Sequence, residues 1–96
     1  MDYNTKSLTI QEEIGDKLGM TYSLNGIGNI YYAQGNYTKA KDYNSRALSI
    51  AQEISAAEET RAASEVLANI YKKLGNYRES LAMYELYIKT NDSINS

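Results

Sequence analysis

A 40-residue internal repeat constrains this chain more than any other feature of its sequence. The motif Asn-Ile-Tyr, followed after three residues by Gly-Asn-Tyr, occurs at 29–37 and again at 69–77. The same offset relates residues 2–14 to residues 42–54, with seven identical positions. A repeat of this length is typical of stacked arrays of small helical units. We therefore expect the chain to begin partway through one repeat.

Each repeat contains two amphipathic stretches. Apolar residues follow the three- and four-residue spacing of one helical face at 24–31 and again at 40–54. The Gly-Asn pairs at 35–36 and 75–76 suit a left-handed helix cap followed by a tight turn. Short connections make neighbouring helices antiparallel. The sequence predicts five helices, at about 2–16, 20–34, 38–54, 59–74 and 78–92.

One junction departs from the repeat. The segment from Gly15 to Gly19 is replaced in the next copy by Ser55 to Glu59, which contains no glycine. Because Ala and Glu favour helix, this segment could continue as one long helix, which would expel the last helix pair and promote domain swapping. The alternative is a short turn without glycine, which is the ordinary solution for a connection of this length.

The spacing of large and small residues resembles that of the tetratricopeptide repeat family over nearly the whole chain. In the first complete unit the signature positions hold Leu24, Ile27, Gly28, Tyr31, Ala40 and Ala47. In the second unit they hold Ser64, Leu67, Ala68, Tyr71, Ser80 and Tyr87. Small residues here let paired helices approach closely. The resemblance implies an all-α fold, in which antiparallel helix pairs stack as a right-handed superhelical solenoid.

Two residues depart from the family pattern. Asn44 stands where the family usually has an aromatic residue, which leaves the packing of the middle pair open. Tyr87 stands where a small residue is usual, and we interpret its size as a sign that no further standard repeat packs there. The 91–93 segment resembles the point where such arrays end. We therefore expect a single domain, with the second helix of a truncated repeat at 1–18, a full repeat at 19–57, and a full repeat and array end at 58–96.

The phrase Glu-Ile-Gly-Asp-Lys at 13–17 is similar to the sensory tetratricopeptide regions of bacterial signalling proteins. Such regions are often fused to histidine kinases, cyclases or DNA-binding domains. This resemblance implies a soluble part of a larger bacterial protein, on either side of the membrane. No stretch of the chain approaches the roughly 20 apolar residues that span a bilayer.

By the family resemblance, the first helices of stacked pairs line a concave face that binds a protein or peptide partner. Spacing selects the candidate groove residues Tyr22, Asn25, Asn29, Tyr32, Glu65, Asn69, Lys72 and Lys73. Asn29 and Asn69 are the most suggestive, because a carboxamide donates and accepts hydrogen bonds at once and suits a peptide backbone. Each also suits a solvated helix face. Lys72 and Lys73 either attract an acidic ligand or stabilise the end of their helix through its dipole.

Composition argues against catalysis and against binding of nucleic acid. The 96 residues include no Cys and no His, which removes the usual nucleophile, base and soft metal ligands. Ten Lys and Arg against twelve Asp and Glu give a net charge of -2, without a basic patch. The neighbouring pairs Glu12–Glu13 and Glu58–Glu59 point about 100° apart on a helix, which indicates surface charge.

These observations predict a scaffold that binds a protein or peptide, with no enzymatic activity, metal or cofactor of its own. The alternative is a sensory or dimerising segment of a signalling protein that holds no dedicated peptide. A homodimer is possible in either case, by domain swapping or through exposed terminal helices.

Overall fold

Four α-helices make up the part of the chain that the structure, a computed structural model, describes, which is residues 16–95. They are α1 (Lys17–Ala33), α2 (Tyr37–Glu53), α3 (Ala57–Lys73) and α4 (Tyr77–Asn95). The first three have 17 residues each. Each half of the 40-residue repeat is therefore one helix and one three-residue connection. No strand occurs in residues 16–95, and the expected all-α arrangement is confirmed.

The three connections between the helices share one geometry. Gly35, Ser55 and Gly75 follow the three helix ends with left-handed φ angles of 79°, 57° and 80°. The N–H of the next residue donates to a carbonyl oxygen five positions earlier, at N···O distances of 2.9, 2.8 and 2.8 Å. This is the arrangement that closes a helix with one left-handed residue. The Gly-Asn turns are confirmed, and the junction at 55–59 is a turn and not a continuous helix.

The middle turn adopts this geometry without the residues that favour it. Ser55 has a side chain in a conformation that normally selects glycine. Ala56, which precedes α3, provides no side-chain cap. By contrast, Asp16 and Asn36 each accept a backbone N–H from the first turn of α1 and α2, at 2.9 and 3.3 Å. The packing of the helices therefore holds this turn in place against the local preference of its residues.

The start of α1 differs from the sequence prediction. Because Asp16 is the N-cap, α1 begins at Lys17 and not near residue 20. Residues 17–18, which we assigned to the preceding segment, form its first turn. The predicted helix at 2–16 lies, apart from this capping residue, outside the described residues.

Two later boundaries also differ. Ala57, which we placed at the end of the first full repeat, is the first residue of α3. The 91–93 segment, which resembles the end of an array, remains helical, and α4 continues to Asn95. Within α4 the Thr90 hydroxyl donates to the carbonyl oxygen of Leu86 at 2.7 Å, so a polar residue is accommodated without ending the helix.

The helices pack as two pairs, α1 with α2 and α3 with α4, and α3 also packs against α2. The core residue Ala40 of α2 joins Ala63, Leu67 and Ile70 of α3 in one cluster that bridges the pairs. The predicted packing positions that are buried are Leu24, Ile27, Gly28, Ala40, Ala47, Leu67 and Ala68. The half-buried ones are Tyr31, Tyr71 and Ser80.

Two equivalent packing positions hold a large and a small residue in the first pair, and a small and a large residue in the second. Leu24 and Ala47 pack together in the first pair, and both are fully buried. The equivalent residues of the second pair are Ser64, which is fully buried, and Tyr87, which is half-buried. Tyr87 occupies the position of Ala47, which packs within its own pair, and its ring stacks on Tyr84 of the same helix. Its size therefore does not by itself determine what packs on the outer face of α4.

A hydrogen-bonded polar pair replaces the aromatic residue expected at position 44. Asn44 of α2 is fully buried, and its Nδ2 donates to Oδ1 of Asn25 in α1 at 2.8 Å. Its own Oδ1 has no hydrogen-bond partner among the described residues. A Cβ added at Gly28 would lie 2.1 Å from this oxygen. Asn44 therefore occupies the space that a larger side chain at position 28 would need.

We expect Ser55→Gly to raise the free energy of unfolding by up to about 1 kcal/mol, because glycine adopts a left-handed φ without steric cost. The reverse change at an equivalent turn, Gly75→Ser, should lower it by about 1 kcal/mol. Urea denaturation followed by circular dichroism measures both changes. A less stable Ser55→Gly protein would show that the serine turn is not strained.

We expect Gly28→Ala to lower the free energy of unfolding by about 1 to 3 kcal/mol, because its Cβ would overlap Asn44. Gly26→Ala is the matched control in the same helix. Nothing lies within 4 Å of a Cβ at Gly26, so alanine should stabilise α1 by up to about 1 kcal/mol.

The source of the Gly28 effect is tested by the double variant Gly28→Ala/Asn44→Ala. If Asn44 is the obstacle, the double variant loses less stability than the two single variants together. Equal melting curves for Gly28→Ala and Gly26→Ala would contradict the close contact.

Candidate partner-binding site

The first helices of the two pairs, α1 and α3, contact each other directly. The Tyr22 phenol of α1 lies near the Glu59 carboxylate of α3. Hydrogen bonding to this carboxylate, and after it the negative charge of Glu59, raises the pKa of the Tyr22 phenol above its ordinary value. Tyr22 is 61% exposed, so this link lies at the surface. It connects the two helices on the face where we expected a partner to bind.

Asn29 and Asn69 lie at equivalent positions of α1 and α3, and both are exposed. Asn29 is seven residues after Tyr22, or about two helical turns along the same side of α1. Neither carboxamide forms a hydrogen bond with another side chain of residues 16–95. Both therefore keep their donors and acceptor for solvent or for a ligand.

Two other predicted groove residues take part in packing. Asn25 is half-buried, and its Oδ1 accepts the hydrogen bond from Asn44. Tyr32 is also half-buried, with its ring edge-on to Tyr37 at a centroid distance of 5.4 Å and an angle of 65°. These two side chains offer only part of their surface to a partner.

The remaining predicted residues are exposed on α3, namely Glu65, Lys72 and Lys73. The two lysines lie in the last turn of α3, while Glu58 and Glu59 lie in its first turn. Charges in these places stabilise a helix through its dipole. The lysines thus have a structural role that requires no ligand.

A cavity of about 310 Å³ lies at the end of this face. Asn69 and Lys72 of α3 form one wall, and Leu81 and Tyr84 of α4 contribute to the other. In the first pair, the equivalent groove is covered by α3. The sequence predicted the asparagine and the lysine here but not the cavity, because its second wall depends on how α4 packs.

The described residues offer no arrangement suited to metal binding. In residues 16–95, no three side chains of His, Cys, Asp or Glu converge closely enough to hold an ion. No described helix combines the length and the apolar character that crossing a lipid bilayer requires. The chemistry of the face is therefore that of hydrogen-bonding carboxamides, tyrosines and isolated charges.

Comparison with known proteins agrees with this architecture. A family model described as tetratricopeptide repeat matches residues 19–91. None of the curated proteins compared with the chain matches it. Among solved structures, the TPR domain of Arabidopsis FLU is similar, with a TM-score of 0.85 and 23% sequence identity. That similarity covers 94% of this chain and 76% of the other, and at this identity it concerns the fold. Because the family model matches well over half of the sequence, this chain belongs to the tetratricopeptide repeat family.

Proposed function

We propose that this domain holds an extended peptide of a partner protein along the face formed by α1 and α3. The tetratricopeptide repeat fold indicates a scaffold for protein–protein interaction. The observation that carries the finer proposal is the equivalent, exposed placement of Asn29 and Asn69 on adjacent first helices.

The chemistry of the two asparagines suits a peptide backbone. Each carboxamide offers donors and an acceptor, so it can bond both the C=O and the N–H of an extended chain. An extended peptide has unpaired backbone groups and can run from one helix to the next. Recognition of this kind depends little on the partner's side chains.

The bond between Tyr22 and Glu59 supports this proposal through preorganisation. This contact lies between α1 and α3 near the start of the face, where it favours the observed arrangement of the helices that carry the asparagines. A face that is already ordered loses less conformational entropy when a ligand binds.

The two ends of the face carry opposite charges. Glu58 and Glu59 lie at one end of α3, and Lys72 and Lys73 lie at the other, where Lys72 lines the cavity. A peptide with an acidic side chain or a terminal carboxylate at the lysine end matches this polarity.

We expect Asn29→Ala/Asn69→Ala to weaken peptide binding about 10- to 30-fold, because two direct hydrogen-bonding groups are lost. The ligands are peptides selected from a displayed random library against the wild-type chain, with affinity measured by isothermal titration calorimetry. The melting temperature should stay within a degree or two of wild type, since both residues are exposed.

Gln52→Ala is the matched control, because it removes an exposed carboxamide from α2, outside the proposed face. It should leave peptide affinity unchanged. Equal affinity of the asparagine variant and wild type would remove the assignment of this face. A selection that yields no peptide would do the same.

The sensory or dimerising role in a bacterial signalling protein stays a prediction from the sequence resemblance. It is compatible with the same fold.

A further inference from the structure

A stripe of exposed apolar side chains runs along the outer side of α4. Tyr77, Leu81, Tyr84 and Ile88 are 68%, 58%, 52% and 43% exposed. They are spaced by four, three and four residues, which is the spacing of the contact positions in a two-helix coiled coil. We call this surface the α4 stripe. An apolar row of this length is typical of an interaction surface.

The α4 stripe is more apolar than the equivalent positions of α2, where Tyr37 and Leu48 pack in the cluster with α3 and Asn44 faces Asn25 of α1. The residues of α2 at the positions of Leu81 and Tyr84 are Lys41 and Asn44. A further helix that packed on α4 as α3 packs on α2 would need no more apolar surface than α2 provides. The difference therefore favours an occupant other than a helix that packs as α3 does.

We propose that the α4 stripe pairs with the same stripe of a second copy of this chain, with the two helices antiparallel. In this register Tyr77 lies opposite Ile88 of the partner subunit, and Leu81 lies opposite Tyr84 of the partner subunit. A two-fold rotation maps this arrangement onto itself, as a symmetric dimer requires. Each layer sets a tyrosine ring against an aliphatic side chain.

Charge complementarity supports the antiparallel register. Arg78 and Glu85 follow the two tyrosines of the stripe and flank it on the side away from α3. Antiparallel pairing brings Arg78 next to the partner's Glu85, and the two-fold axis repeats the contact. Neither residue has an ion-pair partner within residues 16–95. Parallel pairing would bring these charges next to Ser80 and Tyr87, which carry none.

The orientation of one stripe residue is already restricted within the monomer. The Tyr84 ring stacks on Tyr87, with centroids 6.0 Å apart and planes at 25°. Because Tyr87 is half-buried, this contact holds the Tyr84 ring beside it. Ordering of Tyr84 before association reduces the entropy lost when the stripe is covered.

Sedimentation equilibrium of the full chain at concentrations up to about 1 mM tests the proposal, because even a weak interface is populated there. The wild-type chain should show the mass of a dimer. Leu81→Glu should be monomeric, because it places a charge in the centre of the interface. A wild-type chain that stays monomeric, or a Leu81→Glu protein that dimerises as wild type does, would overturn the proposal.

Charge reversal tests the register. Arg78→Glu and Glu85→Arg should each weaken the dimer about tenfold, because each creates two contacts between like charges. An equimolar mixture of the two variants should form a heterodimer of wild-type affinity, since both contacts are then complementary. Native mass spectrometry distinguishes the mixed dimer from the two homodimers.

Glu79→Arg is the control for the charge change, because Glu79 is exposed on α4 away from the stripe. It should leave dimerisation unchanged. Unaltered affinity of both single variants, or a mixture without preference for the heterodimer, would rule out the antiparallel register. Circular dichroism of each variant verifies that the helices are intact. Because Leu81 and Tyr84 line the same cavity as Asn69, dimerisation is measured in the absence of peptide.

Discussion

The architecture depends on one backbone hydrogen bond that recurs at each helix end. In all three connections, the residue after the left-handed position donates to the carbonyl oxygen five residues earlier. This bond fixes where each helix stops and reverses the chain within three residues. Helices of 17 to 19 residues then pack side by side, and α1 contacts α3. The equivalent placement of Asn29 on α1 and Asn69 on α3 follows from this regular spacing.

Sequence periodicity was sufficient to predict the helix pairs, because the glycine turns and the apolar spacing are local signals. The turn at Ser55 was harder to predict, since neither Ser55 nor Ala56 is typical of a helix end. Its geometry is imposed by the packing of α3 against α2, which is a contact between distant residues. The start of α1 lies about three residues before the position expected from the sequence, because Asp16 caps the helix ahead of Gly19.

The sequence likewise predicts one part of the candidate site and not the other. Exposure of Asn29, Asn69 and Lys72 follows from helix spacing, so the sequence could identify them. The half-buried position of Asn25 could not be predicted, because its partner Asn44 stands where the family usually has an aromatic ring. The outward direction of the α4 stripe also depends on tertiary packing. A sequence pattern shows that a helix has two apolar sides, but not which neighbour covers each.

The hydrogen-bonded pair of Asn25 and Asn44 affects which helices of two similar units pack together. Apolar helix faces tolerate exchange of one helix for another of similar shape, and an array of near copies offers many wrong combinations. The corresponding residues of the second unit are Glu65 and Tyr84. If α2 paired with α3, Asn44 would lose its carboxamide partner and face a carboxylate side chain. The Glu65 carboxylate can accept the same hydrogen bond, but its charge costs more to remove from water than the neutral carboxamide of Asn25, so this pair favours α1 over α3 as the pairing partner of α2.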